Sequence, residues 1–180
     1  VPDEVNHFYR AYQISQGGWR AERSIDRLGG ELPISLRELA SKWEPLIGNA
    51  GVQTTFSDIS KSALISLTDS NGWYDFPNTA IYSPVNYLPQ TLGIVVFRWF
   101  TDSVLVIFYG ARVFALCFWL AIMRLMLRLL PGKGLLAAAV LLLPMSLYIN
   151  SSLSADIMIN AISAVWLAWI IRIRIRKKRL

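Results

Sequence analysis

Side chains that could take part in proton transfer or ligand binding are concentrated in the first thirteen residues, VPDEVNHFYRAYQ. Asp3 and Glu4 are adjacent carboxylates, His7 is the only histidine of the chain, and Arg10 supplies a cation. Carboxylates can take a proton from a reacting hydroxyl or hold a divalent cation through oxygen ligands. The stretch is therefore a candidate active site.

The same stretch is also typical of an ordinary amphipathic helix. On a 3.6-residue period Val5, Phe8 and Tyr12 form one apolar stripe, and the polar side chains form another on a different side. Asp3 can cap the helix and His7 can pair with it one turn later, which requires no catalytic role. Both interpretations stay open at this point.

Composition and charge indicate a membrane protein. The 180 residues are 54% hydrophobic, with a mean hydropathy of +0.40. Residues 1 to 90 hold seven Lys/Arg and ten Asp/Glu, whereas residues 91 to 180 hold eleven and two. The basic residues of the second half lie at the ends of apolar runs and not on a soluble aromatic-rich face, so we expect no nucleic-acid partner. Cys117 is the only cysteine, so no intrachain disulfide can form.

Three apolar runs predict transmembrane helices at 104–130, 134–152 and 154–172. The last has an apolar stretch of about 22 Å, slightly short for a bilayer, and is followed by a basic tail at 173–180. The turn between the first two runs is basic as well, so the positive-inside rule places it and the tail in the cytoplasm. Residues 1 to about 100 would then lie outside the cytoplasmic membrane.

The predicted extracytoplasmic part comprises residues 1–86, with an interfacial helix at 4–16 whose apolar stripe rests on the bilayer. A juxtamembrane helix at 87–100 follows, because this segment is too short to span and combines Arg98 with aromatic residues. A further helix is predicted at about 35–43, among Gly-, Pro- and Asn-rich turns. We therefore expect a mainly α, polytopic integral membrane protein.

Four segments together resemble the bacterial membrane-protein family catalogued as domain of unknown function 2142. They are PDEVNHFYRAYQIS, FPNTAIYSPVNYLPQTLG, GARVF and LLPMSLYINSSLSAD, in that order and over most of the chain. Members of that family look like GT-C glycosyltransferases, which are multi-span proteins with an acidic motif in the first extracytoplasmic loop. The resemblance implies an N-terminal fragment that is inactive without the remaining transmembrane helices of its parent. The start at Val1 without a signal peptide agrees with a helix before it.

The resemblance also implies transfer of a sugar from a polyprenyl-phosphate donor to a cell-envelope glycan or lipid acceptor, at the outer face of the bacterial inner membrane. Such a reaction needs a carboxylate as general base, for which Asp3 is the first candidate and Glu4 the second. The same pair could instead hold a divalent cation, Mg²⁺ or Mn²⁺. The departing phosphate needs a fixed cation. The candidate binding residues are Arg10, Arg98, Arg112, His7, Tyr82 and Asp156.

Arg112 lies about 12 Å inside a predicted span, where a charge is costly unless it has a partner. Asp156 is the acidic residue near the outer end of the last span. We predict that Arg112 and Asp156 lie close together, or that both border the same wet cleft. A buried pair that only fixes helix packing is the alternative.

Two other classes of function stay open. A non-catalytic transport or assembly component for surface polysaccharide would keep this scaffold without the chemistry. Tolerance of Asp3→Asn with full function would favour that class. A sensor with a ligand-binding outer loop would need a cytoplasmic output domain, which the basic tail does not offer, so it ranks last.

Overall fold

The computed structural model describes residues 3–49, 51–130 and 134–177, and this part of the chain is mostly helical. Its helices are α1 (Glu4–Ser15), α2 (Ile34–Trp43), α3 (Phe56–Ala63), α4 (Pro77–Ala80), α5 (Leu88–Arg98), α6 (Val104–Leu129), α7 (Gly134–Leu141), α8 (Pro144–Asn150) and α9 (Asp156–Lys177). Its strands are β1 (Glu22–Ser24), β2 (Arg27–Pro33) and β3 (Asn71–Asp75). Short 3-10 helices occupy Glu44–Leu46 and Pro84–Tyr87.

The three strands form an antiparallel sheet in the order β1-β2-β3, which the sequence did not predict. Gly30 of β2 lies opposite Tyr74 of β3. The strand β2 contains two glycines and a proline, which are depleted in strands, so its propensity alone indicated a loop. The burial of apolar side chains offsets this low strand propensity, because Leu32 and Tyr74 are 0% and 2% exposed and belong to the main core.

Helix α1 is the central helix of the N-terminal region. Both of its stripes are buried: His7, Phe8 and Tyr12 are only 8%, 3% and 1% exposed. The helix ends in a Schellman turn, in which Gly17 has a φ of +89° and the Gly18 N–H donates to a carbonyl of the last turn. The predicted placement of this helix on the bilayer surface is therefore wrong, because protein covers the stripe that was assigned to lipid.

Helix α5 crosses the first half of α6 at short range. A Cβ on Gly93 would lie 2.8 Å from the Cα of Ala111, and Gly110 leaves room for the ring of Phe97. Small residues at a crossing let two helix backbones approach closely. The Thr91 hydroxyl of α5 also donates to the Ala11 carbonyl of α1, so the helix predicted at 87–100 packs against both α1 and α6.

Two helices of the described residues have the length and apolarity to cross a membrane. They are α6, with a mean hydropathy of 2.1, and α9 from Asp156 to Ile175, with 1.6. Only 33% and 22% of their apolar stretches are buried inside the protein. Trp119 and Met123 of α6 form a small core with Ala161 of α9, so the two helices hold together while most of their apolar surface faces outward.

The helix predicted at 134–152 is divided into α7 and α8, of 8 and 7 residues. Leu143 has φ −55° and ψ 140° directly before Pro144. A proline disfavours the α conformation in the residue before it and has no N–H for the preceding turn, so the helix breaks there. The prediction of one continuous spanning helix is wrong, since neither half alone has the roughly 20 residues that a span needs.

Helix α9 continues into the basic residues and does not end near 172. It runs to Lys177 and includes Arg172 and Arg174. Arginine and lysine are good helix formers, and cations stabilise the C-terminal end of a helix. Residues 178–180 of the predicted tail lie outside the described residues.

Candidate functional site

A cavity of about 450 Å³ lies where α1, α2 and the first turns of α6 meet. Much of its wall is apolar, with Val5, Phe8, Leu36, Leu39 and Leu105 among the lining residues. Glu4, Glu44 and Arg112 add two carboxylates and a guanidinium to that wall. A cavity of a few hundred cubic ångströms with an apolar wall and a few polar groups is typical of a small-molecule site.

The start of α6 is fixed by hydrogen bonds to the end of α3. The Val104 N–H donates to the Ile65 carbonyl at 2.9 Å, and the Ser103 hydroxyl donates to the Ala63 carbonyl at 2.6 Å. With α6 held there, residues at helical spacing along it, from Leu105 to Arg112, line the cavity opposite α1.

Glu4 and Arg112 form an ion pair at the cavity wall. Glu4 Oε1 lies 3.2 Å from Arg112 Nε and accepts the backbone N–H of Leu153 at 2.8 Å. Arg112 Nε also donates to the Ser151 carbonyl at 3.0 Å. The two side chains are 16% and 28% exposed, so both charges are partly desolvated. Such charges depend on each other, because either one alone would be costly.

The Nη groups of Arg112 are free of hydrogen bonds to the described residues, since its recorded bonds use Nε. Its guanidinium carbon lies 5.6 Å from the ring centre of Tyr109 and 5.9 Å from that of Phe108. The Nε edge is therefore bound to Glu4 and to the Ser151 carbonyl, while the Nη edge is available to an anion.

Arg112 forms its ion pair with Glu4 and not with Asp156, and the expected proximity of Arg112 and Asp156 stays a prediction. The Asp156 carboxylate accepts the Ser154 hydroxyl at 3.1 Å, and its N–H donates to the same hydroxyl, so the two residues form the start of α9. Asp156 is exposed and does not line the cavity.

The other two predicted cations do not line the cavity either. Arg10 is 1% exposed, and its guanidinium donates to the carbonyls of Gly18 and Trp19 at 3.3 and 2.8 Å. Burial lowers the pKa of Arg10. Arg98 is exposed, with its guanidinium carbon 5.2 Å from the ring centre of Tyr12. The structure thus gives both arginines partners other than the residues of the cavity.

A second polar group lies on the neighbouring side of α1, and we name it the His7 cluster: His7, Tyr82, Tyr87, Asp156 and Asp3. His7 Nδ1 lies 2.8 Å from the Tyr87 hydroxyl, and the Tyr82 ring centre lies 6.1 Å from that of His7. Burial lowers the pKa of His7, while the carboxylates of Asp156 and Asp3 act in the opposite direction. Burial raises the pKa of Tyr87. The imidazole is therefore neutral at neutral pH.

Asp3 and Glu4 are consecutive in sequence, yet their side chains lie in different surroundings. Asp3 is exposed at the start of α1 and makes no side-chain capping bond, whereas Glu4 lines the cavity. Consecutive helical residues point about 100° apart. Among the described residues no three His, Cys, Asp or Glu side chains come together as metal ligands. The divalent cation, Mg²⁺ or Mn²⁺, that the sequence left open for this pair stays an alternative to the role as a base.

An N-terminal region packed on two exposed, membrane-length apolar helices is typical of a membrane protein. The family described as "Predicted membrane protein (DUF2142)" matches residues 1–180, and the chain belongs to that family. No curated protein and no solved structure matches it.

Proposed function

We propose that the protein is a glycosyltransferase that moves a sugar from a polyprenyl-phosphate carrier to a cell-envelope glycan or lipid acceptor, at the outer face of the cytoplasmic membrane. The observation that carries the proposal is the apolar cavity with Arg112 in its wall. A lipid-linked sugar has two parts that match this cavity. Its hydrocarbon chain can pack on the apolar wall, and its phosphate can bind the guanidinium.

Arg112 is the residue that would hold the donor phosphate. Its Nη edge is free of the described residues, and its Nε edge is fixed by Glu4 and the Ser151 carbonyl. When the sugar leaves, negative charge collects on the phosphate, and a cation that is already oriented lowers the barrier. Glu4 thus acts as a positioning residue for Arg112.

Asp3 is the first choice for the general base. The acceptor oxygen forms a bond to the anomeric carbon, the bond from that carbon to the phosphate oxygen breaks, and the electron pair leaves on the phosphate. The acceptor proton passes to the carboxylate of Asp3 and then to water. Glu4 is the second choice, because its Oε1 is already engaged by Arg112 and Leu153.

A non-catalytic transport or assembly component is the second candidate. One observation favours it: Glu4 and Arg112 already satisfy each other, as they would in an ion pair that only joins α1 to α6. A protein of that kind could hold the same lipid in the cavity without cleaving it.

The test uses the full-length protein in membranes with a labelled polyprenyl-phosphate sugar. Binding and transfer are measured for wild type, Asp3→Asn, Glu4→Gln and Arg112→Ala, with the exposed Glu22→Gln as the matched carboxylate control. We expect Asp3→Asn to bind donor and lose transfer at least 100-fold, and Arg112→Ala to lose donor binding. Donor binding without transfer in wild type would favour the non-catalytic component. Full transfer in both carboxylate variants would remove Asp3 and Glu4 from the catalytic role.

A further inference from the structure

We propose that the His7 cluster is a binding site for a neutral, hydroxyl-bearing sugar or an amino sugar, and that it holds the acceptor of the transfer. The role as an acceptor site rests on the proposed function. The binding of a sugar follows from the residues of the cluster itself, which lies on a different side of α1 from the cavity.

One ring nitrogen of His7 has no hydrogen-bond partner among the described residues. The side chain is 8% exposed and its Nδ1 is taken by the Tyr87 hydroxyl at 2.8 Å. Its Nε2 makes no hydrogen bond with the described residues and is not among their sealed, unpaired polar atoms. A buried ring that is fixed through one nitrogen, and whose other nitrogen has no partner among the described residues, is suited to a single directed hydrogen bond with a ligand.

Asp156 acts electrostatically on His7 and is itself held in place by hydrogen bonds. The Ser154 hydroxyl binds one of its oxygens at 3.1 Å, and the Ser154 carbonyl accepts from the side chain of Gln90 at 2.7 Å. Gln90 is 0% exposed and lies three residues beyond Tyr87, so it ties the start of α9 to the segment that carries the phenol. The other carboxylate oxygen of Asp156 has no bond to the described residues.

The charges of the cluster select the class of ligand. It combines two carboxylates with a neutral imidazole and two phenols. The buried cation that interacts with Tyr87 is Arg10, whose Nη groups are already bound to the protein. An anion would meet repulsion from Asp3 and Asp156, whereas hydroxyls and amines can donate to them.

Tyr82 adds an aromatic surface, because it is 37% exposed and its ring is tilted by 38° to that of His7. A ring face of this kind can cover the apolar C–H side of a sugar while the carboxylates take its hydroxyls. Asp3 belongs to the cluster and is next to Glu4 in sequence. An acceptor bound here would offer its hydroxyl to Asp3, one residue before the cavity-lining Glu4.

The experiment separates transfer from donor hydrolysis. Membranes with the full-length protein receive labelled donor, and the label is measured both in free sugar and in the glycan and lipid fraction. Tyr82→Ala and Asp156→Asn are compared with Asp69→Asn, an exposed aspartate outside both sites. We expect the ratio of transfer to hydrolysis to fall at least tenfold in the first two variants, with donor binding unchanged. An equal fall of both products, or an unchanged ratio, would overturn the acceptor site.

If wild type neither transfers nor hydrolyses the donor, the proposed function fails but the sugar site is still testable. A direct binding measurement then tests the sugar site. Saturation-transfer NMR on the purified protein uses methyl glucoside, methyl glucosaminide and methyl glucuronide as probes. We expect signals from the first two that weaken in Tyr82→Ala and persist in Asp69→Asn. The absence of any signal in wild type, or equal binding of the glucuronide, would overturn the sugar site.

Discussion

The carboxylate of Glu4, at the first residue of α1, lies 3.2 Å from the Nε of Arg112 in α6. The same oxygen accepts the Leu153 N–H from the connection before α9. One side chain thus ties the N-terminal helix to α6 and to the connection that leads into α9. The pair is partly screened by solvent, so its contribution is smaller than that of a fully buried ion pair.

The first prediction concerns the energy of this pair. We expect Arg112→Ala to lower the free energy of unfolding by about 1–3 kcal/mol, because Glu4 loses its counterion. The double variant with Glu4→Gln should be less destabilised than the sum of the singles by about 1 kcal/mol. Unfolding of the four proteins in one detergent measures the coupling. Strict additivity would show that the two charges do not interact.

The second prediction concerns the crossing of α5 and α6. Gly93→Ala places a Cβ against backbone, and we expect a loss of about 1–3 kcal/mol from overpacking. Gly72→Ala is the control, since its Cβ would meet only a side-chain carbon at 3.4 Å. Thermal unfolding compares the two. Equal stability of both variants would mean that the helices do not cross as described.

The third prediction concerns Arg10, which is bound to backbone carbonyls of the turn after α1. A lysine cannot reach two carbonyls with the geometry of a guanidinium, so Arg10→Lys should lower the melting temperature by several degrees. Donor affinity of the folded variant should match wild type, because Arg10 does not line the cavity. A selective loss of donor affinity at unchanged stability would return Arg10 to the list of phosphate ligands.

The fourth prediction concerns pH. Burial lowers the pKa of His7 below its usual value near 6.5, so the unfolded state takes up the proton first as the pH falls. The stability that the neutral ring provides is fully present above the unfolded pKa near 6.5. It is lost as the pH falls from there through the lower pKa of the folded state. Wild type should therefore lose more melting temperature between pH 7.5 and 5.5 than His7→Gln. An identical loss in the two proteins would show that His7 is not neutral and buried.

The sequence predicted most helices because their apolar runs and turn residues are local signals. The middle predicted span failed at Pro144, where the local rule for the residue before proline prevails over the apolar composition. The sheet could not be predicted, because the glycines of β2 are acceptable only where Leu32 and Tyr74 are buried by other elements.

The candidate residues were chosen by type, whereas their partners depend on tertiary contacts. Glu4 and Arg112 were both named from the sequence, yet their pairing is a tertiary contact, which the amphipathic pattern did not indicate. Tyr87 was missed although it is the hydrogen-bond partner of His7. The Leu153 N–H is a backbone group, so no side chain could signal its role.

The most direct test of the account is a single-turnover measurement with the full-length protein in membranes, in which labelled polyprenyl-phosphate sugar is bound before the acceptor fraction is added. Wild type and Glu22→Gln should transfer the sugar at the same rate, and Asp3→Asn should hold the donor but transfer it at least 100-fold more slowly. Transfer by Asp3→Asn at the wild-type rate, with Glu4→Gln equally active, would contradict the role given to the opening carboxylates.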